Sequence, residues 1–100
     1  MTPSIITLKV FEITGDTVTN AGGYTICVAM EKAFDDNLKV IWDMDGVPTL
    51  SSSFLNSSIG DLIDKYGISF FKAHFSITKY TRFQVEFIKD YITKYELLVR

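Results

Sequence analysis

The segment LKVIWDM, residues 38–44, most strongly limits what this chain can fold into. Val40, Ile41 and Trp42 are consecutive apolar residues, whereas a strand with one face in water alternates apolar and polar residues. The following DGVPT, residues 45–49, contains the Gly and Pro that interrupt a strand. An unbroken apolar strand predicts burial on both faces, as in a parallel sheet that helices cover.

Two further strands are predicted, one on either side of this segment. SIITLKVF, residues 4–11, and AHFSITK, residues 73–79, both contain β-branched residues and alternate apolar with polar positions. The positions expected to share a face are Ile6, Leu8 and Val10 in the first strand and Ala73, Phe75 and Ile77 in the third.

Three helices are predicted between and after these strands, because apolar residues recur there at spacings of three and four. The first helix is expected to start after Gly22 and Gly23 and to end at 35–37, and the second to span about 53–66 and to stop at Gly67. The third is expected to start at Thr81, which has capping-box spacing with Gln84. The apolar positions are Ile26, Cys27, Met30, Ala33 and Phe34, then Leu55, Ile59, Leu62, Ile63 and Tyr66, then Val85, Ile88, Ile92 and Tyr95.

The alternation of strands and helices predicts an α/β fold with a central mixed, largely parallel sheet covered by about three helices. A length of 100 residues fits a single domain over 1–100. The chain is 47% hydrophobic and 22% charged, so it is expected to fold alone. The predicted core includes Met30, Phe34, Ile59, Ile88 and Ile92.

Composition argues against several classes of partner and compartment. A net charge of −2 lacks the basic footprint that nucleic-acid binding needs. A single cysteine, Cys27, rules out an internal disulfide, fits a reducing compartment and lies on a predicted apolar helix face. The apolar runs are all shorter than the ~18 residues of a membrane span. We therefore expect a cytoplasmic protein that binds neither membrane nor nucleic acid.

The residues that could carry catalysis or bind a metal are few. His74 is the single histidine, and the sequence has no Gly-x-Ser-x-Gly elbow to present a serine nucleophile. Asp43 and Asp45 have carboxylates suited to Mg²⁺, but in a turn containing Asp-Gly they are more simply turn formers. We expect no enzymatic activity, no metal and no cofactor.

The stretch TLSSSFLNSSIGDL, residues 49–62, carries five serines where the second strand passes into the second helix. Ligands of α/β sheets bind at such carboxyl ends of strands. Ser53 is expected to cap the helix, and Ser51 and Ser52 would suit a tight turn. Phosphorylation of a serine at this helix end is the alternative. The serine spacing leaves both interpretations open.

The run VIWDMDGVPTLSSSFLNSSIGDLI, residues 40–63, resembles the core signature of STAS domains (sulphate transporter and anti-sigma factor antagonist). In that signature an apolar strand ends in Asp and leads to a Ser-Ser pair that opens a helix. The chain is more similar still to the STAS-like family of unknown function, which has Ser-Ser-Phe-Leu in this place, here 52–55. GISFFKAHFSITKY, residues 67–80, also resembles the link from second helix to last strand in that family.

This resemblance implies a regulatory role for one serine. In anti-sigma factor antagonists a partner with a histidine-kinase-like ATPase fold phosphorylates the first serine of the pair, and the added charge switches binding off. The corresponding residue here is Ser52. The sequence departs from the antagonists at Ser51, where they usually carry an acidic residue, and at Phe54, where they carry glycine.

We therefore predict a small regulatory module that binds a partner protein, with a histidine-kinase-like ATPase as the implied partner and Ser52 as the candidate phosphorylation site. An alternative is an inhibitor encoded by a phage or mobile element, or a defence-system component, that binds its target by surface complementarity. The oligomeric state is left open. The residues expected to contact the partner are Asp43, Asp45, Ser51, Ser53, Phe54 and Asn56.

Overall fold

The computed structural model describes residues 4–98, which form a small α/β fold around one parallel sheet. Its strands are β1 (Ile5–Lys9), β2 (Lys39–Asp43) and β3 (Phe75–Thr78), in the order β1-β2-β3. β2 runs parallel to both neighbours, so the prediction of an interior second strand parallel to the third is confirmed. Within the described residues the sheet is wholly parallel rather than mixed.

The helical segments lie between and after the strands. In chain order they are α1 (Val10–Thr14), α2 (Asn20–Asp35), α3 (Ser52–Leu55), a π-helical turn (Asn56–Gly60), α4 (Asp61–Tyr66), α5 (Ile68–His74) and α6 (Arg82–Leu98). The short helices α1 and α5 were not predicted. None of these helices is long and apolar enough to span a membrane.

The first predicted strand is too long, because the chain turns into the short helix α1 at Val10. Gly15 ends this helix in a left-handed conformation, with φ of 61°, and its amide donates to the Phe11 carbonyl at 2.8 Å. Leu8 and Val10 are buried, as their predicted shared face requires, but Ile6 is exposed.

Helix α2 begins at Asn20, earlier than predicted, because Thr19 caps it by accepting from the Gly22 amide at 3.2 Å. Gly22 and Gly23 therefore lie inside the helix. A Cβ at Gly23 would lie 2.3 Å from the Phe54 carbonyl oxygen, so this glycine permits close packing. The predicted end of the helix is confirmed.

The second predicted helix is three consecutive helical segments, α3, the π turn and α4. Its cap is Ser51 rather than the predicted Ser53, since the Ser51 hydroxyl accepts from the Phe54 amide at 3.1 Å. Gly67, with φ of 89°, ends α4 as predicted.

The third predicted strand is wrong at its start. Ala73 is exposed and His74 is the last residue of α5, so β3 begins only at Phe75. Residues 68–74 form a helix that buries Phe71. This helix is too short for its apolar periodicity to be recognised beside the strand pattern of the residues that follow.

Among the residues that the structure describes, the sheet is covered on one face only, which corrects the prediction of two-sided burial. Val40 and Trp42 are buried with the helices, whereas the opposite face presents mostly exposed side chains. Those exposed side chains are Ile5, Thr7, Lys9, Lys39 and Ser76. Ile41, the apolar residue between Val40 and Trp42, lies on this opposite face, where it is half-buried between exposed neighbours.

The core lies between this covered face and the helices. Met30, Phe34, Ile59 and Ile88 are buried as predicted, and Ile92 is partly buried against the same cluster. Cys27 is buried in the core, which confirms its prediction. Helix α6 packs on α3 and the π turn, with the predicted capping box of Thr81 and Gln84 in place.

Candidate functional site

Ser51 fixes the junction between β2 and α3 to the loop at 15–19. Its hydroxyl donates to the Val18 carbonyl at 2.6 Å while it accepts from the Phe54 amide, and its own amide donates to the Thr17 carbonyl at 3.2 Å. Thr17 in turn donates to the Thr49 carbonyl. The loop at Thr17 and Val18 thus borders the serine stretch, and Ser51 holds the two segments together.

Ser52 is the first residue of α3, and its side chain is exposed. No described residue forms a hydrogen bond with its hydroxyl, in contrast to the hydroxyl of Ser51. Ser52 instead lies at the edge of a groove of about 380 Å³ between α3, the π turn and α6. The groove is lined by Ser52, Asn56, Phe87, Asp90, Tyr91, Lys94, Tyr95 and Leu98.

The other serines of the stretch serve the backbone or a neighbouring side chain. Asn20 of α2 donates to the Ser53 carbonyl at 2.9 Å and to the Ser57 hydroxyl at 2.8 Å. Ser58 is buried, and its hydroxyl donates to the Phe54 carbonyl at 2.8 Å. Thus Ser51, Ser57 and Ser58 have structural partners through their hydroxyls, whereas Ser53 is exposed and contributes its carbonyl.

The groove beside Ser52 combines aromatic, amide and charged groups. Tyr91 donates to the Asn56 side-chain carbonyl at 2.6 Å. Burial raises the pKa of Tyr91 to about 12, so this hydroxyl stays protonated and able to donate at neutral pH. Asp90 and Lys94 form an ion pair at 3.0 Å along the same helix. A group entering the groove would therefore meet both charges.

Phe54, which was predicted to contact the partner, has a fully buried side chain. It packs in the core, with its ring centroid 6.0 Å from that of Trp42. Its side chain is thus unavailable as a surface contact in this structure. The same burial means that Phe54 adds no bulk to the surface around Ser52.

Asp43 and Asp45 form a separate cluster at the end of β2. The Asp43 carboxylate accepts from the Asp45 amide at 2.9 Å and lies 3.6 Å from the Lys79 ammonium. Asp43 is buried, so of the two predicted contacts only Asp45 is exposed. This geometry is that of a turn former, and among the described residues no hydrogen bond or ion pair joins it to Ser52.

His74 is the last residue of α5, directly before β3, rather than part of the predicted strand. Its ring stacks on Phe70 at 3.9 Å between centroids, with Nδ1 2.9 Å from the Phe70 carbonyl and Nε2 3.1 Å from the Asn37 side chain.

Burial raises the pKa of the Cys27 thiol to about 11. Within residues 4–98 no group of three acidic, histidine or cysteine side chains is arranged to hold a metal ion.

The contribution of α6 to this groove was not predicted from the sequence. Phe87, Tyr91, Lys94 and Leu98 recur at spacings of three and four, but the helix was assigned one apolar face, through Ile88. This recurrence beside the Ile88 face was the signal that could have revealed it.

A protein-family model described as a STAS-like domain of unknown function (DUF4325) matches residues 25–81. The match includes most of α2, then β2, the serine stretch and β3, and so contains Ser52 together with two of the three strands. No curated protein and no solved structure gave a significant match. The family model spans more than half of the chain, which therefore belongs to the STAS-like family of unknown function.

Proposed function

We propose that this protein is a non-enzymatic regulatory module that binds a partner protein around Ser52 and is switched by phosphorylation of that residue. The partner and kinase we propose is a histidine-kinase-like ATPase. One observation carries the proposal: Ser52 is exposed at the junction of β2 and α3, and no described residue hydrogen-bonds its hydroxyl.

The neighbouring serines support this assignment by contrast. The Ser51 hydroxyl donates to the Val18 carbonyl and accepts from the Phe54 amide, so phosphorylation of Ser51 would break both the helix cap and the contact with the loop. Ser58 is buried in the core and out of reach of a kinase. Ser53 is exposed like Ser52 but lies outside the groove against α6, which makes it the natural control.

The surroundings of Ser52 favour an effect on binding rather than on folding. A phosphoryl group adds about −1.5 to −2 charges at neutral pH. The nearest charged side chains lining the groove are Asp90 and Lys94, which are both exposed. Because water screens charges at such a surface, the modification should change the local field more than the stability of the core.

Phosphate transfer from ATP tests the proposed site directly. A purified histidine-kinase-like ATPase would be incubated with ATP and the wild-type, Ser52→Ala or Ser53→Ala protein. Mass spectrometry should locate one phosphate on Ser52 of the wild type and of Ser53→Ala, and none on Ser52→Ala.

Equal labelling of Ser52→Ala and wild type would contradict the assignment of Ser52. Stable binding of the ATPase without any phosphate transfer would contradict the switch and favour an inhibitor acting by surface complementarity.

A further inference from the structure

Helix α6 carries a second side-chain stripe on the side away from the core. Its members are separated by four, three, four and three residues, which is the heptad spacing of helices that pair with another helix. They are Phe83, Phe87, Asp90, Lys94 and Leu97.

Four of the five members of the stripe are exposed, and Phe87 is partly buried against the core. Phe83 is 74% exposed and Leu97 is 67% exposed. The Asp90 and Lys94 side chains are 63% and 72% exposed. The core-facing positions of the same helix, Gln84 and Ile88, are buried, so the stripe is a second face of α6.

The order of residues along this stripe is self-complementary in one orientation. Two helices of this sequence placed antiparallel can bring Asp90 of each copy opposite Lys94 of the other, with Phe87 opposite Leu97 on both sides. A parallel pair in register would instead place Asp90 against Asp90 and Lys94 against Lys94, which is repulsive.

We propose that two copies of this protein associate through antiparallel pairing of their α6 helices. Each copy contributes apolar residues toward the ends of the contact and an acidic and a basic residue at its centre. The helix is about 25 Å long, enough for these matched layers. The intrahelical pair between Asp90 and Lys94 at 3.0 Å becomes part of a four-charge cluster. This proposal does not use Ser52, but the paired face shares Phe87, Asp90 and Lys94 with the groove beside Ser52, so a second copy and the proposed partner would compete for this surface.

Sedimentation equilibrium with charge-reversed variants tests the pairing. Wild-type protein should sediment as a dimer, whereas Asp90→Lys and Lys94→Asp should each be monomeric because like charges then face each other. An equimolar mixture of the two variants should recover the dimer, because each Lys again faces an Asp. Circular dichroism and thermal melting of each variant verify that it is folded.

A wild-type protein that sediments as a monomer up to sub-millimolar concentration would overturn the proposal. Dimers that persist unchanged in both single variants would overturn it too, since association would then use another surface.

Disulfide trapping distinguishes the antiparallel arrangement from a parallel one. In the proposed register two copies of Thr93 lie side by side across the contact, while two copies of Glu86 are about 18 Å apart along the axis. Thr93→Cys should therefore form a disulfide-linked dimer on oxidation, and Glu86→Cys should not. The native Cys27 is buried and is a suitable background. Efficient linkage of Glu86→Cys would contradict the antiparallel register.

Discussion

Ser51 and Ser52 are adjacent in the sequence but have different surroundings. The Ser51 hydroxyl forms two hydrogen bonds that join α3 to the loop at 15–19, whereas Ser52 lines the groove beside α6 and no described residue hydrogen-bonds its hydroxyl. The sequence predicted a serine cap but assigned it to Ser53, because a run of three identical residues does not reveal which one is at the helix start. The family resemblance, not the spacing, singled out Ser52.

Replacing each of these serines by alanine should separate the two roles. Loss of a capping hydroxyl typically costs about 0.5–2 kcal/mol, so Ser51→Ala should lower the free energy of unfolding by that amount. Ser52→Ala should stay within about 0.5 kcal/mol of wild type, as is usual for exposed positions. Urea denaturation measures both. A larger loss for Ser52→Ala than for Ser51→Ala would contradict these assignments.

At the scale of elements, the long periodic helices were predictable and the short ones were not. Helices α2 and α6 have 16 and 17 residues, enough for their apolar stripes to repeat several times. Helices α1 and α5, with 5 and 7 residues, span too few turns to establish a period. Gly22 and Gly23 led to the wrong predicted start for α2, because they allow close packing inside the helix and do not mark a break before it.

The core face of α6 is tested by truncating Ile88. This side chain is buried where α6 packs over the preceding helices, so Ile88→Ala should lower the free energy of unfolding by about 2–5 kcal/mol. The exposed Lys89 on the same helix provides the control, and Lys89→Ala should change stability by no more than about 0.5 kcal/mol. Similar small effects for both variants would place this face of α6 in solvent.

At the scale of the whole molecule, the parallel α/β fold was predictable but the exposed sheet face was not. The apolar run through Val40 and Trp42 correctly indicated an interior strand. Its inclusion of Ile41 suggested cover on both sides, yet Ile41 lies between exposed Thr7 and Ser76 in the neighbouring strands. A local sequence pattern reports how apolar a strand is, but not how many helix layers the rest of the chain supplies.

The buried thiol in the core predicts how the stability of the whole molecule depends on pH. The pKa of Cys27 is raised from its ordinary value near 9 to about 11, chiefly by burial. As pH rises, the unfolded chain therefore loses this proton before the folded protein does. The contribution of the thiol to the free energy of unfolding is complete below pH 9 and is lost as pH rises through about 11. The slope between these values should approach about 1.4 kcal/mol per pH unit.

Denaturation of wild type and Cys27→Ala at several pH values between 8 and 10 tests this dependence, because titration of the tyrosines contributes equally to both proteins. The free energy of unfolding of Cys27→Ala should fall less steeply with pH. Parallel curves for the two proteins would show that the thiol does not contribute.

The central claim is that phosphorylation of Ser52 controls partner binding, and isothermal titration with the histidine-kinase-like ATPase measures it most directly. Three forms would be compared: unmodified protein, protein phosphorylated at Ser52, and Ser69→Asp as a charge control on α5, outside the groove. We predict that phosphorylation of Ser52 weakens binding by about tenfold or more, equivalent to about 1.4 kcal/mol, while Ser69→Asp binds like the unmodified protein. Equal affinity of the ATPase for the unmodified and phosphorylated forms would contradict the account.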